Sequence, residues 1–183
     1  MTAAEVLSVR VAMPRDVATK NGPLHTGMLK QVVAGPIQLN LTGLSGDGWA
    51  DRQHHGLEDQ AICAYPEQHY VGLSEVLDLE LTAGAFGENV VVRGQDENHV
   101  YIGDHYQWGQ ALLEVTKARQ PCSTLNKVWN CSRLAAELGR SGRTGWYYRV
   151  LKAGQVSCAD ALELVLRQPN AVTVRQQWMA KVG

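Results

Sequence analysis

ALLEVT, residues 111–116, decides the fold. Ala111, Leu113 and Val115 fall on one side of an extended chain and Leu112, Glu114 and Thr116 on the other, the period of two that marks a strand with one face in an apolar core. Outward from it the pattern recurs in HVYIGDHYQWG (99–109), ENVVV (88–92), WYYRVL (146–151) and LELVLR (162–167), the last aligning Leu162, Leu164 and Leu166. It recurs once more near the start in EVLSVRVA (5–12), with Leu7, Val9 and Val11 on one face. Gly-containing turns such as RGQDEN, IGD and KAGQ separate these runs where a βαβ architecture would have crossover helices. The expectation is a mostly β, barrel-like body with a few peripheral helices that buries Leu7, Val9, Leu113, Val115 and Leu164.

Three stretches read as helices. PEQHYVGLSEVL (66–77) has Pro66 suited to the first helical position, and SRLAAELG (132–139) has Ser132 as N-cap and Gly139 as stop. TVRQQWMAKV (173–182) has Thr173 as cap and places Val174 and Trp178 on one face. A lone helix of that length is marginal in water, so Trp178 is expected to dock on the body or on a partner.

Composition narrows the function classes. The 183 residues suit one domain, 45% are hydrophobic and 19% charged, and 17 basic against 18 acidic residues leave a net charge of −1. That balance excludes the electrostatic footprint of a general nucleic-acid binder. The N-terminal stretch lacks a leader pattern and no run approaches the roughly 18 apolar residues of a membrane span, so a cytoplasmic protein is expected. Cys63, Cys122, Cys131 and Cys158 form no C-x-x-C pair and are expected to be reduced, with Cys63 and Cys158 acting as small hydrophobes in or beside strands.

Two polar clusters carry chemistry. GLSGDGWADRQHHGLEDQA (43–61) gathers Asp47, Asp51, Arg52, His54, His55, Glu58 and Asp59 among glycines. It reads either as a functional loop or as a solvated loop of Asx-type turns. Zinc is poorly served, since adjacent histidines on a strand point apart and no H-E-x-x-H occurs. KARQPCSTL (117–125) sets Cys122 beside Pro121 with Lys117 and Arg119 upstream. A nearby cation favours the thiolate, the form that ligates soft metals or attacks electrophiles; the other reading is a loop cysteine whose basic neighbours, Arg119 among them, face solvent. GAFGENVVVRG (84–94) reads as a turn whose Asn89 can bond backbone or ligand. No phosphate loop, dinucleotide fingerprint or nucleophile elbow is present.

GDGWADRQHHG, FGENVVV, the IGD and RQPC segments and TGWYYRVLKAG follow one another in an order that resembles the MOSC family, named for the C-terminal domain of molybdenum cofactor sulfurases, and within it the small stand-alone bacterial YiiM type. The likeness spans roughly residues 5–170, giving a MOSC domain at 1–170 and a short helical segment at 171–183, where relatives continue into several helices. The resemblance implies a MOSC-type β-barrel and makes Cys122 the functional cysteine and metal ligand. It implies the molybdenum cofactor (Mo-molybdopterin), with no pyridoxal phosphate, and reduction of N-hydroxylated compounds such as hydroxylamino-purines.

Carried over by position, Arg119, Asn89, Asp51 and His55 line the site. Lys117, Arg119 or Arg52 would meet the cofactor phosphate, and His55 or Asp51 would supply protons alongside Cys122. With no ferredoxin cysteines and no flavin or nicotinamide fingerprint, electrons would come from a separate flavoprotein or iron–sulfur donor. No nucleic-acid or membrane partner is expected, and a homodimer is left open. Two alternatives stand beside this reading: a sulfur carrier using a Cys122 persulfide in metal–sulfur or molybdenum cofactor maturation, and a non-enzymatic molybdopterin carrier.

Overall fold

Strand pairing closes on itself. The structure, a computed structural model, describes residues 3–51 and 56–183. The first part of the chain forms β1 (Ala3–Val11), the hairpin β2 (Arg15–Thr19) and β3 (Gly22–Thr26), and the short strands β4 (Gln31–Val32), β5 (Ile37–Asn40) and β6 (Gly43–Leu44). After a 3-10 turn at Glu58–Gln60 come β7 (Ile62–Pro66), α1 (His69–Leu77), β8 (Val90–Arg93), β9 (His105–Trp108) and β10 (Ala111–Ala118). α2 (Ser123–Val128) and α3 (Leu134–Ser141) lead to β11 (Trp146–Lys152), β12 (Gly154–Val156), β13 (Leu162–Leu166) and α4 (Val174–Val182).

The strands run in the order β13-β9-β10-β11-β7-β8-β1, and antiparallel pairing of β1 with β13, Ala3 opposite Glu163 and Ala4 opposite Leu162, joins the ends into a seven-stranded barrel. Closure removes the unpaired edges that an open sheet would present. Only β7 and β8 pair in parallel among the described residues, and α1 belongs to the crossover such a pair requires.

Two apolar layers explain the burial. Inside the barrel Ala111, Leu113 and Val115 are fully buried, as their alternation predicts, and pack with Trp108, Trp146 and Tyr148. Each fully buried leucine contributes roughly 1.5–3 kcal/mol relative to exposure. Outside, Tyr65, Phe86, Leu73, Leu125 and Leu134 form a second cluster that joins β7 and β8 to α1, α2 and α3. Phe86 lies 4.6 Å from Tyr65 and 5.7 Å from Tyr70, ring centre to ring centre. Val90, Val91 and Val92 are therefore all buried, so the valines of ENVVV form a continuous apolar run covered on both faces and not an alternating one.

Several local expectations are corrected. A register shift between Val6 and Ser8 breaks the period of β1, so Val9 is buried in the barrel while Leu7, half-buried, packs against the outer cluster. A second shift after Leu164 leaves Leu162 buried, Leu164 half-buried and Leu166 exposed. Pro66 ends β7, and α1 begins at His69. The third helix is capped at Arg133, not Ser132, and stops at Gly142, whose φ of 69° suits a residue without a side chain; Gly139 lies inside it. Cys158 is exposed, not a core hydrophobe.

The last helix follows its sequence. Thr173 and Gln176 form a capping box, and Val174 and Trp178 are buried. Trp178 docks on the body, its indole N–H donating to the Gly139 carbonyl at 2.7 Å. The Ala118 N–H donates to the Gln177 side chain at 2.8 Å, tying the helix to the end of β10. Among the described residues no helix is long and apolar enough to cross a membrane.

Candidate cofactor cleft

A cleft of about 810 Å³ opens where β10 ends and where β7, β8 and β11 begin. Its volume is in the range of cavities that hold a small ligand or cofactor. Asp51, Asn89 and the segment holding Lys117, Arg119 and Cys122, three separate stretches of the chain, all line it. Arg52, His54 and His55 lie outside the described residues.

Arg119 follows the last residue of β10, and its backbone N–H donates to the Gly145 carbonyl at 3.0 Å. The reading in which Arg119 faces solvent is overturned, since the residue is only 7% accessible. Phe86 and α4 belong to the elements that enclose this strand end. Nη2 donates to the Phe86 carbonyl at 2.5 Å, while Nη1 is buried with no hydrogen-bond partner among the described residues. Burial opposes the charge, but Cys63, Tyr147, Cys122 and Glu88 around it outweigh that and raise the guanidinium pKa above its ordinary value. The result is a fixed, buried positive charge with one donor unspent.

Cys122 sits at the N-cap of α2, a helix that sequence reading did not anticipate, and is half-buried. Its extended backbone, φ −120° and ψ 165°, turns the chain from Pro121 into that helix. Cys63, read as a structural residue, also lines the cleft, at 6% accessibility. Burial pushes its thiol up to about 11, with Arg119 pulling the other way, so this sulfur stays protonated near neutrality.

Asn89 is built into the wall. Its Nδ2 donates to the Arg10 carbonyl at 3.2 Å and to Asp47 at 2.7 Å, and its Oδ1 accepts the Cys63 N–H at 3.1 Å. Asp47 in turn holds Lys30 in a buried ion pair and accepts the Ala12 N–H at 2.8 Å, so this member of the Gly-rich loop fastens the loop to β1. Lys117 pairs with Asp59 at 2.7 Å, both about one-third exposed. A pair that open to water contributes about 0–1 kcal/mol.

Sequence reading missed Tyr147, Lys181, His25 and Trp49, which also line the cleft. Tyr147 stands second in the WYY run, where the alternation of β11 turns it away from the Trp146 and Tyr148 side chains inside the barrel. Burial raises its phenol pKa, so it remains a neutral hydroxyl at the cleft wall. Lys181 arrives with the last helix, where it donates to Gln120 at 2.7 Å.

The MOSC domain profile matches residues 51–163, a span that opens at Asp51 and contains Asn89, Lys117, Arg119 and Cys122. The chain belongs to the MOSC domain family. MOSC relatives align over most of its length. It is 35% identical to the uncharacterized protein YflK of Bacillus subtilis (strain 168) over 170 residues, 93% of this chain and 77% of that one. It is 39% identical to protein YiiM of Escherichia coli (strain K12) over 155 residues, 82% of this chain and 68% of that one. The crystal structure of Escherichia coli YiiM superposes with a TM-score of 0.79, covering 97% of this chain and 76% of that one at 32% identity. A protein of Gibberella moniliformis (strain M3125 / FGSC 7600) named as a reductase is 35% identical over 150 residues, 80% of this chain but 27% of its own length.

Proposed function

We propose that this MOSC protein holds the molybdenum cofactor in the cleft, with Cys122 as its ligand to molybdenum, and reduces N-hydroxylated compounds such as hydroxylamino-purines to the parent amines. The observation that carries the reading is the meeting of a thiol and a half-satisfied buried guanidinium on one cleft. An unpaired buried donor costs about 1–3 kcal/mol until it finds an acceptor, and a phosphate such as that of molybdopterin offers one with opposite charge. Cys122 supplies the soft sulfur that molybdenum takes alongside dithiolene sulfurs. The donor set fits the cofactor.

In this reading Arg119 binds the phosphate from a fixed position and Lys117, paired with Asp59, adds a second positive charge at the same wall. Asp51 passes protons to the departing oxygen one at a time, each replaced from solvent, so that it leaves as water; two protons and two electrons are consumed for each N–O bond broken. The bound cofactor supplies the two-electron chemistry. A separate cytoplasmic flavoprotein or iron–sulfur protein supplies the electrons. The reductase name of the Gibberella relative supports an oxidoreductase over a passive carrier.

Metal analysis of protein purified from cofactor-competent cells, with mass spectrometry of Cys122, is the test. Stoichiometric molybdenum, turnover of a hydroxylamino-purine once a flavoprotein reductase is added but not with NAD(P)H alone, and loss of both metal and turnover in Cys122→Ser but not in Cys131→Ser are expected. A Cys122 persulfide without molybdenum would replace this reading with sulfur transfer, and molybdenum without turnover would leave a carrier.

A further inference from the structure

Glu88 has no accessible surface and does not line the cleft, yet it is a buried carboxylate next to it in sequence. It accepts the Tyr70 hydroxyl at 2.5 Å, the Phe86 N–H at 3.0 Å and the Gly84 N–H. Burial, then the Glu88 charge, raises the Tyr70 phenol pKa, which keeps that hydroxyl a donor. Three donors on one carboxylate pin the turn at residues 84–88, and Gly87, with φ 74° and the Met28 Cγ only 2.6 Å from where a Cβ would lie, admits no other residue there without strain.

Two carbonyls of the pinned turn reach the cleft's working parts. Phe86 holds Nη2 of Arg119, and Ala85 accepts the indole N–H of Trp129 at 2.6 Å. Trp129 caps the C-terminal end of α2, the short helix whose other end is Cys122. One carboxylate thus orients the cation and seats the helix of the thiol through a single turn.

We infer that Glu88 is a positioning residue of the cleft, which by fixing the 84–88 turn aims the free nitrogen of Arg119 at a bound phosphate group. The inference rests on the phosphate-binding reading of Arg119 given above. Glu88 has two opposed effects on an anion. Its negative charge near Arg119 weakens attraction, whereas its grip on the turn preorganises the guanidinium. Because the signs differ, removing the charge distinguishes them.

The experiment is calorimetric titration of the full chain with inorganic phosphate, in wild type, Glu88→Gln, Tyr70→Phe, Arg119→Ala and the Glu88→Gln/Arg119→Ala double variant. Glu88→Gln should weaken phosphate about fivefold, and Tyr70→Phe, which removes one of three donors, about twofold in the same direction. The double variant should bind no more weakly than Arg119→Ala, because a residue that acts through Arg119 has nothing left to position. If Glu88→Gln does not fold, Tyr70→Phe decides. Unchanged or tighter phosphate binding in the Glu88 and Tyr70 variants, or losses that simply multiply in the double variant, overturns the inference while Arg119 keeps its role. Wild type that fails to bind phosphate, or Arg119→Ala that binds it equally well, sinks the phosphate reading and this inference with it.

Discussion

Asn89 and Cys63 are joined twice across the parallel pair: the Asn89 N–H donates to the Cys63 carbonyl at 2.8 Å, and the Cys63 N–H donates to the Asn89 side-chain oxygen at 3.1 Å. The wall of the cleft is therefore also a seam of the barrel, and residues that sequence alone marks as ligand-binding carry stability.

Asn89→Ala should act first on the fold. It strips an acceptor from a buried N–H and a donor from buried Asp47, for a loss of roughly 2–4 kcal/mol and a fall in melting temperature of roughly 5–15 °C. Thermal melts of the apo-protein measure it. An unchanged melting temperature with lost molybdenum would instead make Asn89 a ligand-binding residue.

Arg119→Ala should do two things at once. The Phe86 carbonyl loses its donor, costing about 1–3 kcal/mol, and the cleft loses its fixed charge. Reduced phosphate and molybdenum retention together with a melting temperature lower by a few degrees is the expected pair of results. A variant as stable as wild type would show that losing the Phe86 contact is offset by removing the unpaired Nη1 donor.

Cys63 sets a pH dependence. An unfolded thiol titrates near 9.0 and the folded one is pushed up to about 11, so between those values the unfolded chain has released a proton that the folded chain keeps. The associated stability is complete below pH 9 and is lost as pH rises towards 11, by about 2–3 kcal/mol. Urea midpoints of wild type should fall more steeply than those of Cys63→Ala across that window, the buried tyrosines being common to both. Parallel curves would rule the assignment out.

Local signals carried the reading where one layer decides burial. ALLEVT alternates and lies half in the barrel as expected, and Thr173 caps its helix because capping chemistry is contained within four residues. Cys122, Arg119, Lys117, Asn89 and Asp51 do meet on one cleft. What failed depends on contacts distant in sequence. The bulge in β1 has no local signature, the second cover over ENVVV comes from α1, α2 and α3, and the burial of Arg119 needs a carbonyl 33 positions upstream. α2 is six residues long, too short for a period to register. Tyr147 and Lys181 enter the cleft by topology alone.

The seam between β1 and β13 sets a timetable for biosynthesis. The strand that holds Ala3 and Ala4 leaves the ribosome roughly 160 residues before its partner at Leu162 and Glu163. At roughly 5–20 residues per second that interval is on the order of ten seconds, during which the nascent chain carries an unpaired, apolar strand edge. Until the seam shuts, that edge is open to pairing with another chain or to a chaperone that holds unfolded segments. Translation speed and chaperone supply thus become determinants of yield on expression, separate from the stability of the finished barrel.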